Sequence, residues 1–329
     1  MKRLLIINFF TSVFIILFLE VAIGYLQLSQ LMGIESDKLY SLENGDYKYK
    51  SNTSGLVFNK IVYTEKNGFR APSPNFNYDK EKKSIIFFGD SVTFGNGVDE
   101  NKTFVGLMRK KFNQYNFYNL SLPGFQITNH EKNFIFLDQI ENIEKIFYIY
   151  TLNDIDLKNN LESSKMIDQE RDLNFIEKAR KIKLFRQLNA WLRNKSYLYI
   201  YLKGIASDPS SRNFKYDYNL YANSNLIDQL NIFLNKFKKK VEFKKKELIV
   251  IILPYEFQTR KDKCSNNIFM PQKKLEEILE KENIKYYNLS NLFCEYKKPK
   301  DLFYKFDPMH LSEKGHNLTF NFLLNEVFN

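Results

Sequence analysis

The sequence predicts an α/β fold, in the form of a three-layer α/β/α sandwich built on a five-stranded parallel sheet. Short β-rich runs alternate with helix-like segments, and this alternation is typical of a parallel sheet covered by helices on both faces. The run Ile249–Leu253 is apolar throughout, as expected of a central strand that is buried on both sides. The five predicted strands are Ser84–Phe88, Phe117–Leu120, Lys145–Thr151, Leu248–Leu253 and Lys285–Leu289.

The composition favours one main folded domain with appendages. The chain has 329 residues, of which 44% are hydrophobic and 16% aromatic, so it holds enough core material to exclude a disordered protein. Its formal net charge of +11 does not by itself indicate a nucleic-acid partner, because Lys, Asn, Ile, Phe and Tyr are all abundant, a bias that codon usage can produce. The sequence shows no nucleic-acid-binding motif, and we expect no such partner.

The first 28 residues indicate a membrane anchor or a signal segment. Leu4–Leu19 is mostly Leu, Ile, Phe and Val, it follows Lys2 and Arg3, and the apolar run resumes as Val21–Leu26. This length is enough to span a bilayer core, and the positive amino end should stay cytoplasmic. A cleaved signal peptide is the alternative, because Ala22-Ile23-Gly24 offers small residues to a peptidase. A buried helix of the fold is disfavoured by the terminal position and the flanking charge.

Either interpretation exports the remainder of the chain. We therefore expect a single-pass protein of the inner (cytoplasmic) membrane with its domain on the periplasmic or extracytoplasmic side, or else a secreted protein. Residues 29–80 are polar and rich in turns and form a predicted juxtamembrane extension, and residues 81–329 form the domain. In an oxidising compartment Cys264 and Cys294 could close a disulfide bond, with two buried thiols as the alternative.

A long insertion is predicted between the third and fourth strands. Residues 152 to 247 are too many for a simple crossover, so we expect a helical cap at about residues 156–240. Within it, Ile176–Gly204 combines many Lys and Arg residues with apolar residues at near-helical spacing. Such a segment could lie on an anionic membrane surface or meet an acidic glycan. The alternative is an ordinary helix that packs on the sheet and keeps its charged face in water.

Ser91 is the candidate nucleophile. The run Ile85–Phe88 predicts a buried strand that stops at Gly89 and delivers Asp90 and Ser91 at the start of a helix. A helix amino end offers unpaired backbone N–H groups, which suit a negative charge that develops beside the serine oxygen. Asp90 and Ser91 could instead be no more than a helix cap, since both residue types favour that position.

His310 is the candidate base. A serine hydroxyl needs an imidazole to take its proton, and the chain has only His130, His310 and His316. In Asp307-Pro308-Met309-His310 the proline stiffens a turn, so that Asp307 could hold the second nitrogen of the imidazole and fix its tautomer. We interpret His316 as structural and His130 as a surface or packing residue.

These pieces resemble the SGNH, or GDSL-type, hydrolase family in identity and in order along the chain. Ser91, Gly124, Asn153 and His310 correspond to the four residues that give the family its name. The resemblance covers residues 81–329 apart from the helical insertion. It implies a flavodoxin-like parallel sheet, hydrolysis or transfer of acyl esters, and no metal or cofactor.

The resemblance also implies a role for each residue. Ser91 would be the nucleophile and, through its N–H, the first oxyanion donor, while Gly124 would add a second N–H and Asn153 its side-chain amide. His310 would be the base, oriented by Asp307.

Two residues depart from the family pattern, and one stretch before residue 81 adds to the resemblance. Val92 stands where the family has Leu, and Thr151 stands where the third block usually has Gly, which predicts a narrower pocket beside Asn153. The stretch Asn67-Gly68-Phe69-Arg70 is similar to extensions of membrane-anchored members.

Taken together, export and the resemblance predict a serine esterase that acts on acyl esters, O-acetyl esters first, of cell-envelope or secreted polysaccharide. An O-acyltransferase to a glycan hydroxyl and a lipid-directed esterase are the enzymatic alternatives. A non-catalytic glycan-binding or assembly protein that keeps the fold is the alternative of a different class. The presence of Ser91, Asp307 and His310 argues against it, because binding alone does not need them.

Overall fold

The computed structural model of the chain describes residues 2–26, 28–29, 31, 33, 36–43, 46–155, 183–264, 266–305 and 307–328. In chain order the strands are β1 (Tyr40–Glu43), β2 (Asp46–Tyr49), β3 (Ser54–Val57), β4 (Lys60–Thr64), β5 (Arg70–Ala71), β6 (Lys83–Gly89), β7 (Tyr115–Ser121), β8 (Ile143–Tyr150), β9 (Leu248–Ile252), β10 (Lys285–Asn288), β11 (Phe303–Tyr304) and β12 (Asp307–Leu311). The α-helices are α1 (Lys2–Tyr25), α2 (Ser36–Leu39), α3 (Ser91–Phe94), α4 (Phe104–Lys111), α5 (Ile127–Lys132), α6 (Phe136–Gln139), α7 (Lys183–Lys195), α8 (Tyr197–Ala206), α9 (Pro209–Leu220), α10 (Ser224–Phe243), α11 (Met270–Lys281), α12 (Ser290–Glu295) and α13 (Glu313–Glu326).

The centre of the domain is a five-stranded sheet in the order β10-β9-β8-β6-β7, and all of its strand pairs are parallel. Each of the five strands predicted from the sequence is present. Numbered by their order along the chain, the strands follow the sequence 2-1-3-4-5, which is the flavodoxin-like order. The predicted three-layer α/β/α fold is confirmed by this topology.

Two cores lie on opposite faces of the sheet, because successive side chains of a strand point to opposite sides. Ile86 and Phe88 of β6 face one core, where Phe237 of α10 packs against Phe88 with ring centroids 4.9 Å apart. Ile85 and Phe87 face the other core, which α4, α12 and α13 cover. The buried positions of α10 recur at helical spacing and include Leu226, Leu230, Phe233, Leu234, Phe237 and Val241.

Part of the predicted juxtamembrane extension packs on the domain. Strands β3, β4 and β5 form an antiparallel sheet, and its residues Val57, Val62 and Phe69 are buried in the same core as Phe88. The ring of Phe69 meets that of Phe136 edge to face at 4.8 Å. Residues 54–71 are therefore an integral part of the folded domain.

The helical segment between β8 and β9 divides into two parts. Helix α10 covers the sheet as a crossover helix, whereas α7 and α8 carry apolar side chains that are exposed. Residues 156–182, which include the first part of the predicted basic segment, lie outside the described residues. Helix α1 is long and apolar enough to cross a membrane, and its apolar side chains are largely exposed.

A disulfide bond joins Cys264 to Cys294, as one of the two alternatives predicted from the sequence. It ties the loop after β9 to helix α12.

Candidate active site

The candidate residues lie at the carboxyl edge of the sheet. Ser91, Gly124 and Asn153 follow β6, β7 and β8, three adjacent parallel strands, so the loops that carry them leave the sheet at the same edge. The side-chain amide of Asn153 donates to Oδ2 of Asp90 at 3.0 Å, and this bond joins the loops after β6 and β8 directly.

Ser91 stands on a tight turn from strand to helix. A Cβ atom at Gly89 would lie 2.1 Å from Oγ1 of Thr93, so only glycine fits where β6 ends. The carboxylate of Asp90 caps α3 by accepting from the backbone N–H of Val92 at 2.9 Å. Helix α3 ends at Gly95, whose φ of 82° lies in the left-handed region that favours glycine. Thus the segment holds Ser91 at the amino end of α3, where a helix leaves backbone N–H groups unpaired.

The side chain of Arg70 holds this turn through three hydrogen bonds. Its guanidinium is buried and donates to the carbonyl oxygens of Phe94 at 2.6 Å, Gly95 at 2.7 Å and Val98 at 2.5 Å. These carbonyls belong to the carboxyl end of α3 and the loop after it, where a helix leaves acceptors unpaired and favours a cation. Strand β5 of the extension thereby positions the nucleophile segment.

A buried polar network stands behind the nucleophile. Oδ2 of Asp90 accepts from Asn153 at 3.0 Å, and the hydroxyl of Thr151 lies 3.0 Å from the same oxygen and 2.9 Å from Oδ1 of Asn153. The phenol of Tyr255 lies 2.9 Å from Oδ1 of Asn153 and 2.6 Å from a carboxylate oxygen of Asp217. These contacts orient the amide so that its nitrogen faces Asp90 and its oxygen faces Tyr255. The amide nitrogen carries two hydrogens, and the oxyanion role needs the second.

Gly124 lies on an exposed turn after β7. Its φ of 77° requires glycine, and no heavy atom of the described chain stands within 4 Å of the place that a Cβ would take. The turn is therefore open on the side where a side chain would project, so a ligand can approach the backbone closely.

His310 is carried by β12, which lies against α3. Its Nε2 is 3.3 Å from the side-chain nitrogen of Asn96, a residue whose backbone N–H donates to the carbonyl of Ser91 at 3.2 Å. The ring of Phe58 meets the imidazole edge to face at 5.5 Å. The side chain of Asp307 lies outside the described residues, so its role as the orienting carboxylate stays a prediction.

The hydroxyl of Ser91 has a long hydrogen bond to Oδ2 of Asp90, at 3.5 Å. A hydroxyl has one proton, so in this geometry it points at Asp90, while Nε2 of His310 meets Asn96. Catalytic hydrogen bonds are often long or poorly aligned before substrate binds. Rotation of the serine side chain about χ1 would redirect its proton.

The other two histidines are buried and neutral. Burial lowers the pKa of His316 to about 3, helped by the charges of Arg70 and His310, and its Nδ1 accepts from the N–H of Phe104 at 3.3 Å. Burial also lowers the pKa of His130 to about 3, against the opposing charge of Asp90. Both are fully buried packing residues, which matches the structural role expected of His316 and the packing alternative for His130.

Sequence reasoning missed several residues of this site. The side chain of Thr151 is buried and its hydroxyl contacts Asp90 and Asn153, a role not predicted from the sequence, while the narrower pocket stays a prediction. A polar residue directly after an apolar strand could have indicated that role. The stretch that ends at Arg70 resembles a family extension, but neither its contacts nor those of Tyr255 follow from the sequence, because their partners are distant along the chain.

Comparison with known proteins gives likenesses among solved structures. A scan against protein-family models finds no match, and a search of curated proteins finds none either. A lipase/acylhydrolase from Enterococcus faecalis is 14% identical, with a TM-score of 0.43 over 74% of this chain and 95% of the other. The acetyl xylan esterase AlAXEase is 12% identical, with a TM-score of 0.46 over 74% and 99%. Est24, a carbohydrate acetylesterase from Sinorhizobium meliloti, is 9% identical, with a TM-score of 0.42 over 75% and 99%.

Because these TM-scores are below 0.5, the likenesses carry no weight for the function of this chain. The fold rests on the strand order of the chain itself, and the function rests on its site.

Proposed function

We propose that the chain is a serine hydrolase of the SGNH type that cleaves carboxylic esters. The observation that carries the proposal is the bond between Asn153 and Asp90, which brings the amide donor of one loop beside the serine of another. A serine at a helix amino end, an open glycine turn on the neighbouring strand and a histidine on an adjoining strand complete the set that acyl transfer requires.

The reaction follows from the roles of these groups. His310 takes the proton of the Ser91 hydroxyl, and the serine oxygen attacks the ester carbonyl to form a tetrahedral intermediate. The N–H groups of Ser91 and Gly124 and the amide of Asn153 stabilise its oxyanion. His310 then protonates the departing alkoxide, and water, activated in the same way, releases the acyl group from the serine. Asp307 would hold the imidazole in the required tautomer.

The proposed substrates are acyl esters, O-acetyl esters first, of envelope or secreted polysaccharide. An apolar helix at the amino end supports export, and the disulfide bond suits an oxidising compartment. We place the chain in the inner (cytoplasmic) membrane through α1, with the domain on the periplasmic or extracytoplasmic side. If a sugar hydroxyl replaces water as the acceptor, the same acyl-enzyme makes the protein an O-acyltransferase.

Labelling with a fluorophosphonate tests the nucleophile. The probe should modify Ser91 of the full chain in detergent, and Ser91→Ala should abolish labelling and lower kcat on a chromogenic acetyl ester about 10,000-fold or more. Ser73→Ala, at an exposed serine away from the site, is the matched control and should keep both. Full activity in Ser91→Ala would refute the proposal.

Profiling of acetylated glycans tests the substrate class. Cells that carry the wild-type chain should show fewer O-acetyl groups on envelope or secreted polysaccharide than cells that carry Ser91→Ala, if water is the acceptor. More O-acetyl groups would identify a transferase, and an unchanged profile would exclude these glycans.

A further inference from the structure

Helix α7 presents an apolar face that the described part of the chain does not cover. Leu184, Phe185, Leu188 and Trp191 are 70%, 49%, 47% and 59% exposed. Their spacing places them on one side of the helix. Helix α8 continues the exposed apolar surface with Leu202 and Ile205. Large exposed apolar patches mark binding surfaces.

The amino end of helix α8 is hydrogen-bonded to Glu20, near the carboxyl end of the apolar helix α1. The carboxylate of Glu20 accepts from the N–H of Tyr197 at 2.6 Å, the N–H of Leu198 at 3.1 Å and the hydroxyl of Ser196 at 2.7 Å. One carboxylate thus satisfies donors at the helix start, the position that favours a negative charge. Gly24 allows close contact there, since a Cβ would lie 2.9 Å from the ring of Tyr197.

The depth of this joint in a bilayer follows from helix geometry. If α1 spans the membrane, as in the proposed function, Lys2 marks its cytoplasmic end. Glu20 lies about 27 Å further along, at 1.5 Å per residue, which is close to the roughly 30 Å thickness of the hydrocarbon core. The start of α8 therefore lies at the outer interface, and α7, which directly precedes it, lies nearby.

The charges of the helix pair complement an anionic surface. Residues 183–206 contain no Asp or Glu and include Lys183, Arg193, Lys195 and Lys203. Interfacial helices combine Trp, Phe and Leu on the buried face with Lys and Arg on the other.

We propose that α7 and α8 lie on the surface of an anionic bilayer, with the face formed by Leu184, Phe185, Leu188 and Trp191 inserted below the headgroups. The inference rests on the part of the proposed function that makes α1 a membrane span. A second copy of the chain or another segment could cover the same face, and fluorescence quenching separates these occupants from lipid.

The consequence concerns access to the active site. The lining of a groove of about 800 Å³ includes Gly24, Leu26 and Tyr197. Its lining also includes Phe58, whose ring contacts His310, and Gly97, which follows Asn96. Docking of α7 and α8 holds this groove at headgroup level, so that it opens to an ester presented at the membrane surface.

The fluorescence of Trp191 tests the proposal, because it is the only tryptophan of the chain. The full chain is reconstituted in vesicles of phosphatidylcholine with phosphatidylglycerol, and in phosphatidylcholine alone. In the anionic vesicles the emission should shift to the blue, lose intensity when the lipids carry brominated acyl chains, and resist quenching by acrylamide. The effects should be weaker in neutral vesicles.

The double variant Trp191→Phe/Phe243→Trp is the matched control. Phe243 is 79% exposed at the end of α10, just before β9 begins, so it lies at the edge of the sheet opposite the site. Its tryptophan should stay accessible to acrylamide and insensitive to brominated lipid. A second variant, Leu188→Glu, should reduce the lipid quenching of Trp191 without changing ester hydrolysis in detergent.

Three results would overturn the inference. Docking is refuted if, in anionic vesicles, Trp191 shows the same emission and the same quenching by acrylamide as the tryptophan of the control variant. Protection from acrylamide without quenching by brominated lipid shows that protein covers the face. Equal quenching in both vesicle types refutes the anionic surface. Flotation of the chain with the vesicles reports separately on α1, and a chain that does not float refutes both the membrane span and the docking.

Discussion

The two halves of the candidate site are built differently. The nucleophile half, residues 89–98, is buried and tied to the rest of the domain by the bonds of Asp90 with Thr151 and Asn153 and by the three carbonyl bonds of Arg70. The base half is a two-stranded ribbon of β11 and β12 with His310 only partly buried. It reaches the nucleophile half through the contact of His310 with Asn96 and the bond from Tyr304 to the carbonyl of Gly97.

The difference teaches how the site is assembled. The nucleophile, its helix amino end and the amide of Asn153 are in place before substrate binds, because a connected polar network positions them. The base lies on a partly buried strand, and its Nε2 is engaged by Asn96. We infer that substrate binding completes the pairing of Ser91 with His310.

Loss of the base gives the largest expected effect. His310→Ala should lower kcat on a chromogenic acetyl ester about 10,000-fold, or about 5 kcal/mol, because no other histidine is available to take the proton. The double variant with Ser91→Ala should be no slower than either single variant, since residues that act as one unit are not additive. Losses that multiply would show that the two halves work independently.

Loss of Arg70 tests how firmly the nucleophile half is held. Arg70→Met leaves three buried carbonyls without their donor, at about 1 to 3 kcal/mol each before relaxation. Even a total of about 3 kcal/mol would lower Tm by roughly 6 to 12 °C for a domain of this size. Thermal unfolding of the full chain in detergent measures this effect.

Lys66→Met is the matched control for Arg70, because Lys66 is an exposed cation in the same antiparallel sheet region. It should change stability by no more than about 0.5 kcal/mol. If Arg70→Met is as stable as this control and its Ser91 is labelled by fluorophosphonate at the wild-type rate, the extension does not hold the nucleophile segment.

The sequence predicted the nucleophile half better than the contacts that support it. Five strands were recognisable as short β-rich runs between helix-like segments, and the positions of Ser91, Gly124 and Asn153 followed because each stands just past a strand. The contacts of Arg70 could not be predicted, since its carbonyl partners lie 24 or more residues away along the chain.

The contacts of His310 and the partner of α7 were harder to predict, because both depend on tertiary packing. Helical spacing indicated a helix in the basic segment, but spacing does not say which partner covers an apolar face. The contact of His310 with Asn96 depends on how a short ribbon docks on the nucleophile half, which is a matter of tertiary packing. The orientation of His310 by Asp307 stays a prediction.

The stability of the folded chain around the two halves should be sensitive to acid through His316, which lies in α13 and accepts from the N–H of Phe104. Its pKa is about 3 in the folded chain against an ordinary 6.5, so the folded state favours the neutral imidazole. The stabilisation is complete above about pH 6.5 and is lost as the pH falls towards 3. At pH 5 the loss reaches about 2 kcal/mol, from 1.5 pH units at 1.36 kcal/mol each.

Urea unfolding of the wild type and of His316→Gln at pH 7.5, 6 and 5 measures this effect. Glutamine does not titrate, and its side-chain oxygen can still accept from the N–H of Phe104. The difference in the free energy of unfolding between the two proteins should therefore shrink by about 2 kcal/mol from pH 7.5 to pH 5. Parallel pH profiles would place the acid sensitivity elsewhere.

The smallest expected effect tests the network inside the nucleophile half. The Thr151 hydroxyl has one proton but lies within hydrogen-bond distance of Asp90, Asn153 and Asp154, so it can serve only one of them at a time. After Thr151→Val, Asn153 keeps its bonds to Asp90 and Tyr255. The expected cost is thus one hydrogen bond, about 1 kcal/mol or roughly fivefold in kcat, with KM unchanged.

Thr151→Ser separates positioning from packing, because it restores the hydroxyl but not the methyl group. It should recover kcat if the hydrogen bond orients Asn153. By comparison, Asn153→Ala removes an oxyanion donor and should cost on the order of 100- to 1,000-fold. A Thr151→Val variant as slow as Asn153→Ala would show that the orientation of the amide depends on this single hydroxyl. The nucleophile half would then be held by as little as the base half, against the difference drawn between them.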